Sequence, residues 1–220
     1  MRGMAHKKVI NWLAGAVIVA AAAWLYVFFN PRPPAIDSEL HKKVGEVLAA
    51  EAIKLLEPGG RLTVIARAKE PFKVPAAAAQ LDAFLRSIKN SGKSVSATRH
   101  LKVDPLRIAS VPPGDFLELM RQSGSNDVIV SFLGPPLIGD DQLGKLGAKR
   151  PRVVALCSGA MPVQVDLRKM FERQLLATAV ISRTNAPAQP ANGQDAFEQM
   201  FKVITAVNVS ELPALATARH

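Results

Sequence analysis

The chain has 220 residues, a formal net charge of +10, 49% hydrophobic and 5% aromatic residues, and one cysteine. A lone cysteine excludes an internal disulfide, and with it the stapled secreted modules. A core so poor in aromatics must be built from Val, Ile, Leu and Ala, which suits buried parallel strands under Ala- and Leu-rich helices.

The first nine residues, with Arg2, Lys7 and Lys8 and no acid, read as a short cytoplasmic N-terminus. Ile10 to Phe29 is a run of twenty residues without a charge. At about 1.5 Å per residue it spans about 30 Å, the thickness of a bilayer's hydrocarbon core. Trp12 lies near one end, and Trp24 and Tyr26 near the other, where interfacial rings prefer to sit. The sequence therefore predicts a transmembrane helix over 10–29. The apolar run continues past the small residues Ala20 to Ala23, so a retained signal anchor is expected rather than a cleaved signal peptide. Residues 30–36 hold three prolines in four positions and form a stiff spacer. The basic bias at the start predicts a single-pass protein of a bacterial-type inner membrane, with its C-terminal domain in the periplasm.

Residues 37–183 read as one soluble α/β domain. Asp37-Ser38-Glu39 starts a helix with apolar positions Leu40, Val44, Val47, Leu48, Ala52 and Leu55, ended by Pro58-Gly59-Gly60. Leu62 to Ala66 is a first strand. Pro75 opens a helix that carries Ala78, Leu81, Phe84, Leu85 and Ile88 and closes at Ser91-Gly92. Ser94 to Leu101 reads as an edge strand. Pro112 to Asp115 lead into a helix with Phe116, Leu117, Leu119 and Met120; the connection 104–109 before it fits no class. Asp127 to Leu133 is the clearest strand. Asp140-Asp141 start a short helix, Arg152 to Cys157 is a fourth strand, Val165 to Leu175 a helix, and Leu176 to Arg183 a fifth strand.

This alternation predicts a three-layer, doubly wound domain with a mostly parallel five-stranded sheet. Residues 184–194 read as a linker. Phe197, Phe201 and Ile204 mark a C-terminal amphipathic helix over 195–208, free to close the sheet or bind a partner, followed by a tail over 209–220 that is expected to be mobile from Pro213.

Leu56-Glu57-Pro58-Gly59-Gly60-Arg61-Leu62 resembles a late turn and strand of Rossmann-type methyltransferases. Only an apolar run and one helix precede it, with no glycine-rich cofactor loop, so it is read as a helix stop and strand start. The whole pattern also resembles one lobe of a type 1 periplasmic binding protein. That resemblance implies a ligand held against a second wall, which another subunit must supply.

In open α/β sheets ligands bind beyond the carboxyl ends of the strands. The candidate ligand residues there are Arg67 after the first strand, Gly134 after the third, and Ser158 and Gly159 after the fourth. No catalytic, metal or cofactor constellation emerges. Cys157 reads as an inert buried thiol, and His100 is the one histidine that could serve Ser158 as a base. Asp140-Asp141 fit a helix start better than a metal site.

Beyond the first nine residues the chain carries +7. These cations are spread out and not interleaved with aromatics, which reads first as a solvated surface, then as a contact for membrane lipid or an acidic protein partner, and last as a nucleic-acid surface. The leading expectation is a non-catalytic, membrane-anchored accessory or interaction subunit of a larger complex or homo-oligomer, docking through Phe197, Phe201 and Ile204. The alternative is a small-ligand-binding or sensor domain.

Overall fold

The computed structural model describes residues 3–29, 37–68, 74–103, 110–147, 149–187 and 195–216. It divides into two compact units, Met1–Ile36 and Asp37–His220. The first is a helix, α1 (Gly3–Phe29). Among the described residues no helix is long and apolar enough to cross a membrane. The described residues thus do not by themselves carry the transmembrane expectation for 10–29, and the spacer 30–36 lies outside them.

The second unit is a six-stranded sheet between two layers of helix. Its strands are β1 (Leu62–Arg67), β2 (Ala97–Leu101), β3 (Val128–Ser131), β4 (Arg152–Cys157), β5 (Thr178–Ser182) and β6 (Phe201–Thr205), in the spatial order β2-β1-β3-β4-β5-β6. The first five are parallel to one another, and β6 runs antiparallel to β5.

The helices form because their apolar residues recur at helical spacing and their ends are capped. α2 (Ser38–Leu55) starts at Asp37, whose Oδ1 accepts from the backbone N–H of Glu39 (3.1 Å) and Leu40 (3.0 Å). α3 (Pro75–Asn90) has proline in its first turn, where a missing N–H costs nothing. These two helices cover one face of the sheet, where Leu62, Val64, Val128, Val130, Val154, Leu156 and Val180 point. Gly45 of α2 lies at the crossing: a Cβ there would meet the carbonyl oxygen of Gln80 in α3 at 2.1 Å. α4 (Pro113–Arg121), the one-turn α5 (Asp140–Leu143) and α6 (Met161–Gln164), and α7 (Leu167–Glu172) complete the other helices between strands. Phe116, Met120, Met161, Leu167 and Phe171 from them join the opposite face, with Ile65, Ile129, Val153, Ala155, Cys157, Ala179 and Ile181.

The C-terminal region departs from the expected helix over 195–208. A short helix, α8 (Asp195–Met200), is followed directly by β6. The spacing of Phe197, Phe201 and Ile204 fits a helix, but Val203, Ile204 and Thr205 are β-branched, and β5 offered an open ladder that a strand fills. All three expected partner residues are buried: Phe197 6%, Phe201 7% and Ile204 0% exposed. They pack the core and present no surface to a partner. The described part of the tail is held as far as Ala216, whose N–H donates to the carbonyl of Val163 in α6 at 2.7 Å.

At the amino end of the sheet Asp127 ties β3 to the start of β1. Its Oδ1 accepts from the Arg61 N–H (2.7 Å), and its Oδ2 accepts from the Arg61 guanidinium (2.8 Å) and the Gly124 N–H (2.9 Å).

Candidate functional site

The carboxyl ends of β3 and β4 open into a cavity of about 260 Å³. Phe132, Leu133 and Gly134 line it from the loop after β3. Leu156, Ser158 and Ala160 line it from the end of β4, and Met161 and Gln164 from α6. Two of the four expected ligand residues, Gly134 and Ser158, are thus brought together. Gly134 has φ of 88° and Gly159 of 65°, left-handed values that glycine adopts without strain and that let both loops turn sharply at the sheet edge. The β3 loop is fixed from below by Ser131, which is wholly buried and accepts the Leu133 N–H at 3.3 Å.

The other two residues are elsewhere. Gly159 donates its N–H to Ser182 Oγ at 3.1 Å, so it ties the β4 loop to the end of β5 and does not line the cavity. Arg67 ends β1 and lines neither this cavity nor the second one described below. Met161 and Gln164 were missed in the sequence because α6 is a single turn, too short for periodicity to register; only Pro162 near its start hints at a helix.

Among the described residues the lining has no charged side chain. Its polar groups are the Ser158 hydroxyl and the Gln164 amide, with backbone groups at Gly134 and Ala160, over an apolar floor of Phe132, Leu133, Leu156 and Met161. Such a site offers hydrogen-bond donors and acceptors without net charge.

His100 and Ser158 cannot work as base and nucleophile. β1 and β3 lie between their strands, and three strand spacings separate them by about 14 Å. Instead His100 Nδ1 faces the Arg67 carbonyl at 3.4 Å. Cys157 is fully buried, and burial pushes its thiol pKa up, so it stays protonated and inert. Asp140 pairs with Arg173 and with Lys169 (3.8 Å), as a helix-start acid held by cations. Among the described residues no three His, Cys, Asp or Glu side chains gather where they could hold a metal. A second cavity of about 270 Å³ lies between β1, β2 and α4.

No family model matches the chain, and no curated protein matches it. Solved structures do. The chain is similar to AraP, an arabinose-binding protein from Geobacillus stearothermophilus, with TM-score 0.53 and 15% identity over 79% of this chain and 63% of that one. It is similar to an ABC-transporter solute-binding protein from Burkholderia graminis, solved in complex with D-arabinose (TM-score 0.51, 15% identity, 78% and 61% covered). A sugar-binding protein of a sugar ABC transporter from Bacillus halodurans is similar at TM-score 0.50, 12% identity, with 79% and 64% covered. The chain therefore spans 61–64% of the length of these proteins. At such identities the likeness is one of fold: an α/β, mostly parallel six-stranded lobe of the periplasmic-binding-protein kind.

Proposed function

We propose that the domain binds a small, neutral, polyhydroxylated molecule at the carboxyl ends of β3 and β4. The observation that carries this reading is the uncharged cavity shared by Gly134 and Ser158, with Gln164 at its rim. At about 260 Å³ it falls just under the range of roughly 300–1,000 Å³ typical of drug-sized ligands, which suits a monosaccharide. Structures of the same fold come from an arabinose-binding protein, a solute-binding protein in complex with D-arabinose, and a sugar-binding protein. The chain spans about three fifths of those proteins, and the cavity at β3 and β4 would form one wall of such a site.

Thermal unfolding with added sugars tests this. At a ligand concentration of 100 times Kd the stabilisation is about 2.7 kcal/mol. At about 2–4 °C per kcal/mol for a domain of this size, D-arabinose or a related pentose should raise Tm by about 5–11 °C, and inorganic phosphate should not. Ala160→Arg, which fills an exposed rim position, should abolish the shift; a shift that survives it places the ligand elsewhere.

We read α1 as a tether that keeps this domain at the periplasmic face of an inner membrane. The charge-free run Ile10 to Phe29 and the preceding Arg2, Lys7 and Lys8 support that reading. Resistance of the full chain to alkaline carbonate extraction is expected; release into the soluble fraction would remove the tether. The accessory-subunit reading loses its proposed docking residues, since Phe197, Phe201 and Ile204 lie in the core.

A further inference from the structure

Between Asp82 and Asp104 lie twenty-one residues with no acid and with five cations, Arg86, Lys89, Lys93, Arg99 and Lys102. The fold gathers this stretch at one end of the sheet, as the C-terminal half of α3, the turn after it, and the outermost strand β2. All five cations are exposed. Among the described residues none of them forms an ion pair, although Lys42, Lys43, Lys54, Arg61, Arg152, Lys169, Arg173 and Lys202 all do.

The strand itself is open. Leu101 is in register with Arg67, and its carbonyl accepts the Ala68 N–H at 2.8 Å. In a parallel ladder alternate residues bond to the same neighbour. Ala97, Arg99 and Leu101 therefore bond toward β1, and the backbone N–H and C=O groups of Thr98 and His100 face away from the sheet. β2 has no other strand neighbour among the described residues. Beside it lies the 270 Å³ cavity, with Ile65, Leu101 and Leu119 at its floor and Arg99, Asp115 and Glu118 around them.

We propose that β2 and the C-terminal half of α3 form a docking edge for an extended acidic segment of a partner protein, which adds as a seventh strand beside β2 and places an apolar side chain in the cavity next to Leu101. Strand addition uses the free backbone groups for affinity and side-chain pockets for specificity. The cations choose the sign of the partner. A second copy of the chain is disfavoured, because two such edges side by side oppose cation to cation. A lipid surface would use the charge but leave the strand groups unpaired. A nucleic acid would call for exposed aromatic rings, and the one aromatic residue in the stretch, Phe84, is wholly buried.

The test is fluorescence anisotropy of a labelled alternating Glu-Val octapeptide with the full chain at low salt. Binding is expected, and Arg99→Glu combined with Lys93→Glu should weaken it about tenfold or more. Methylating alternate backbone nitrogens of the peptide should abolish binding, because this blocks the ladder without changing charge. Thr98→Pro should do the same with an unchanged far-ultraviolet circular dichroism spectrum, since its outward N–H makes proline tolerable at this edge. The proposal is overturned if the methylated peptide binds equally well, or if an alternating Lys-Val peptide binds as tightly as Glu-Val. It is also overturned if the peptide fails to bind while phosphatidylglycerol vesicles are captured in a way the double charge reversal abolishes; the edge would then be a lipid contact.

Discussion

Gly45→Ala tests how closely α2 and α3 are pressed together. Its new Cβ would lie 2.1 Å from the Gln80 carbonyl oxygen, whereas ordinary contact begins at 3.4 Å, so the helices must part by more than 1 Å. A gap of that size forfeits roughly a quarter to a half of each dispersion contact across it. Six buried side chains flank the crossing: Leu40, Val44 and Leu48 on α2, and Leu81, Phe84 and Ile88 on α3. If each makes about 50 atomic contacts at about 0.1 kcal/mol, and about a third of them face the other helix, each loses about 0.5 kcal/mol. The sum is about 3 kcal/mol, within the usual cost of overpacking. Alanine returns about 1 kcal/mol through its better helix propensity. The net loss is about 2 kcal/mol, or about 4–8 °C in Tm for a domain of this size. Urea unfolding followed by circular dichroism measures it. Gly114→Ala in α4, where a Cβ meets nothing within 4 Å, is the matched control and should gain up to about 1 kcal/mol. If Gly45→Ala proves as stable as the parent, the close approach of the helices is not real and the reasoning fails.

Asp127 should govern acid stability. Burial alone would raise its pKa, but hydrogen bonds from the Arg61 side chain and from the N–H groups of Arg61 and Gly124, with the guanidinium charge, outweigh burial and hold it below the usual carboxylate range. A group depressed in the folded state contributes stability that is full above its unfolded pKa of about 4 and is lost as pH falls through the folded value. Urea midpoints between pH 2 and 7 should therefore fall less steeply in acid for Asp127→Asn, from a lower plateau at neutral pH. Gln174 holds a left-handed φ of 55° just after α7, so Gln174→Gly should raise stability by about 0.5–1 kcal/mol, read as a higher Tm. Cys157 should resist a thiol-reactive disulfide reagent in the native protein and react at once in denaturant; fast labelling of the native chain would place it nearer the surface.

Much of the fold was legible because its signals are local. Asp37 caps α2 as its side chain allows, and β4 begins and ends at the residues of the Arg152–Cys157 apolar run. β6 was not legible: five residues satisfy either period, and only the open edge of β5, which belongs to the tertiary structure, chooses between them. The site divides in the same way. The rule that ligands sit beyond strand carboxyl ends pointed to Gly134 and Ser158 without knowledge of strand order. It could not show that β3 and β4 are the neighbours whose loops converge, nor that Arg67 ends a strand outside the cavity. Nor could it foresee that the Gly159 amide is already engaged by Ser182.

The antiparallel β6 also bears on how the chain avoids its own kind. Without it, β5 would be an outer strand of five residues, Thr-Ala-Val-Ile-Ser, uncharged, rich in β-branched side chains, and with its first four residues buried in the finished fold. Such an edge is a template for intermolecular pairing. During synthesis β5 emerges about twenty residues ahead of the strand that covers it, so this is the interval in which nascent chains are most exposed to aggregation. β6 ends that interval and sets Lys202, partly exposed and paired with Glu211, on the new rim. β6 is therefore a safeguard of solubility as well as a part of the core.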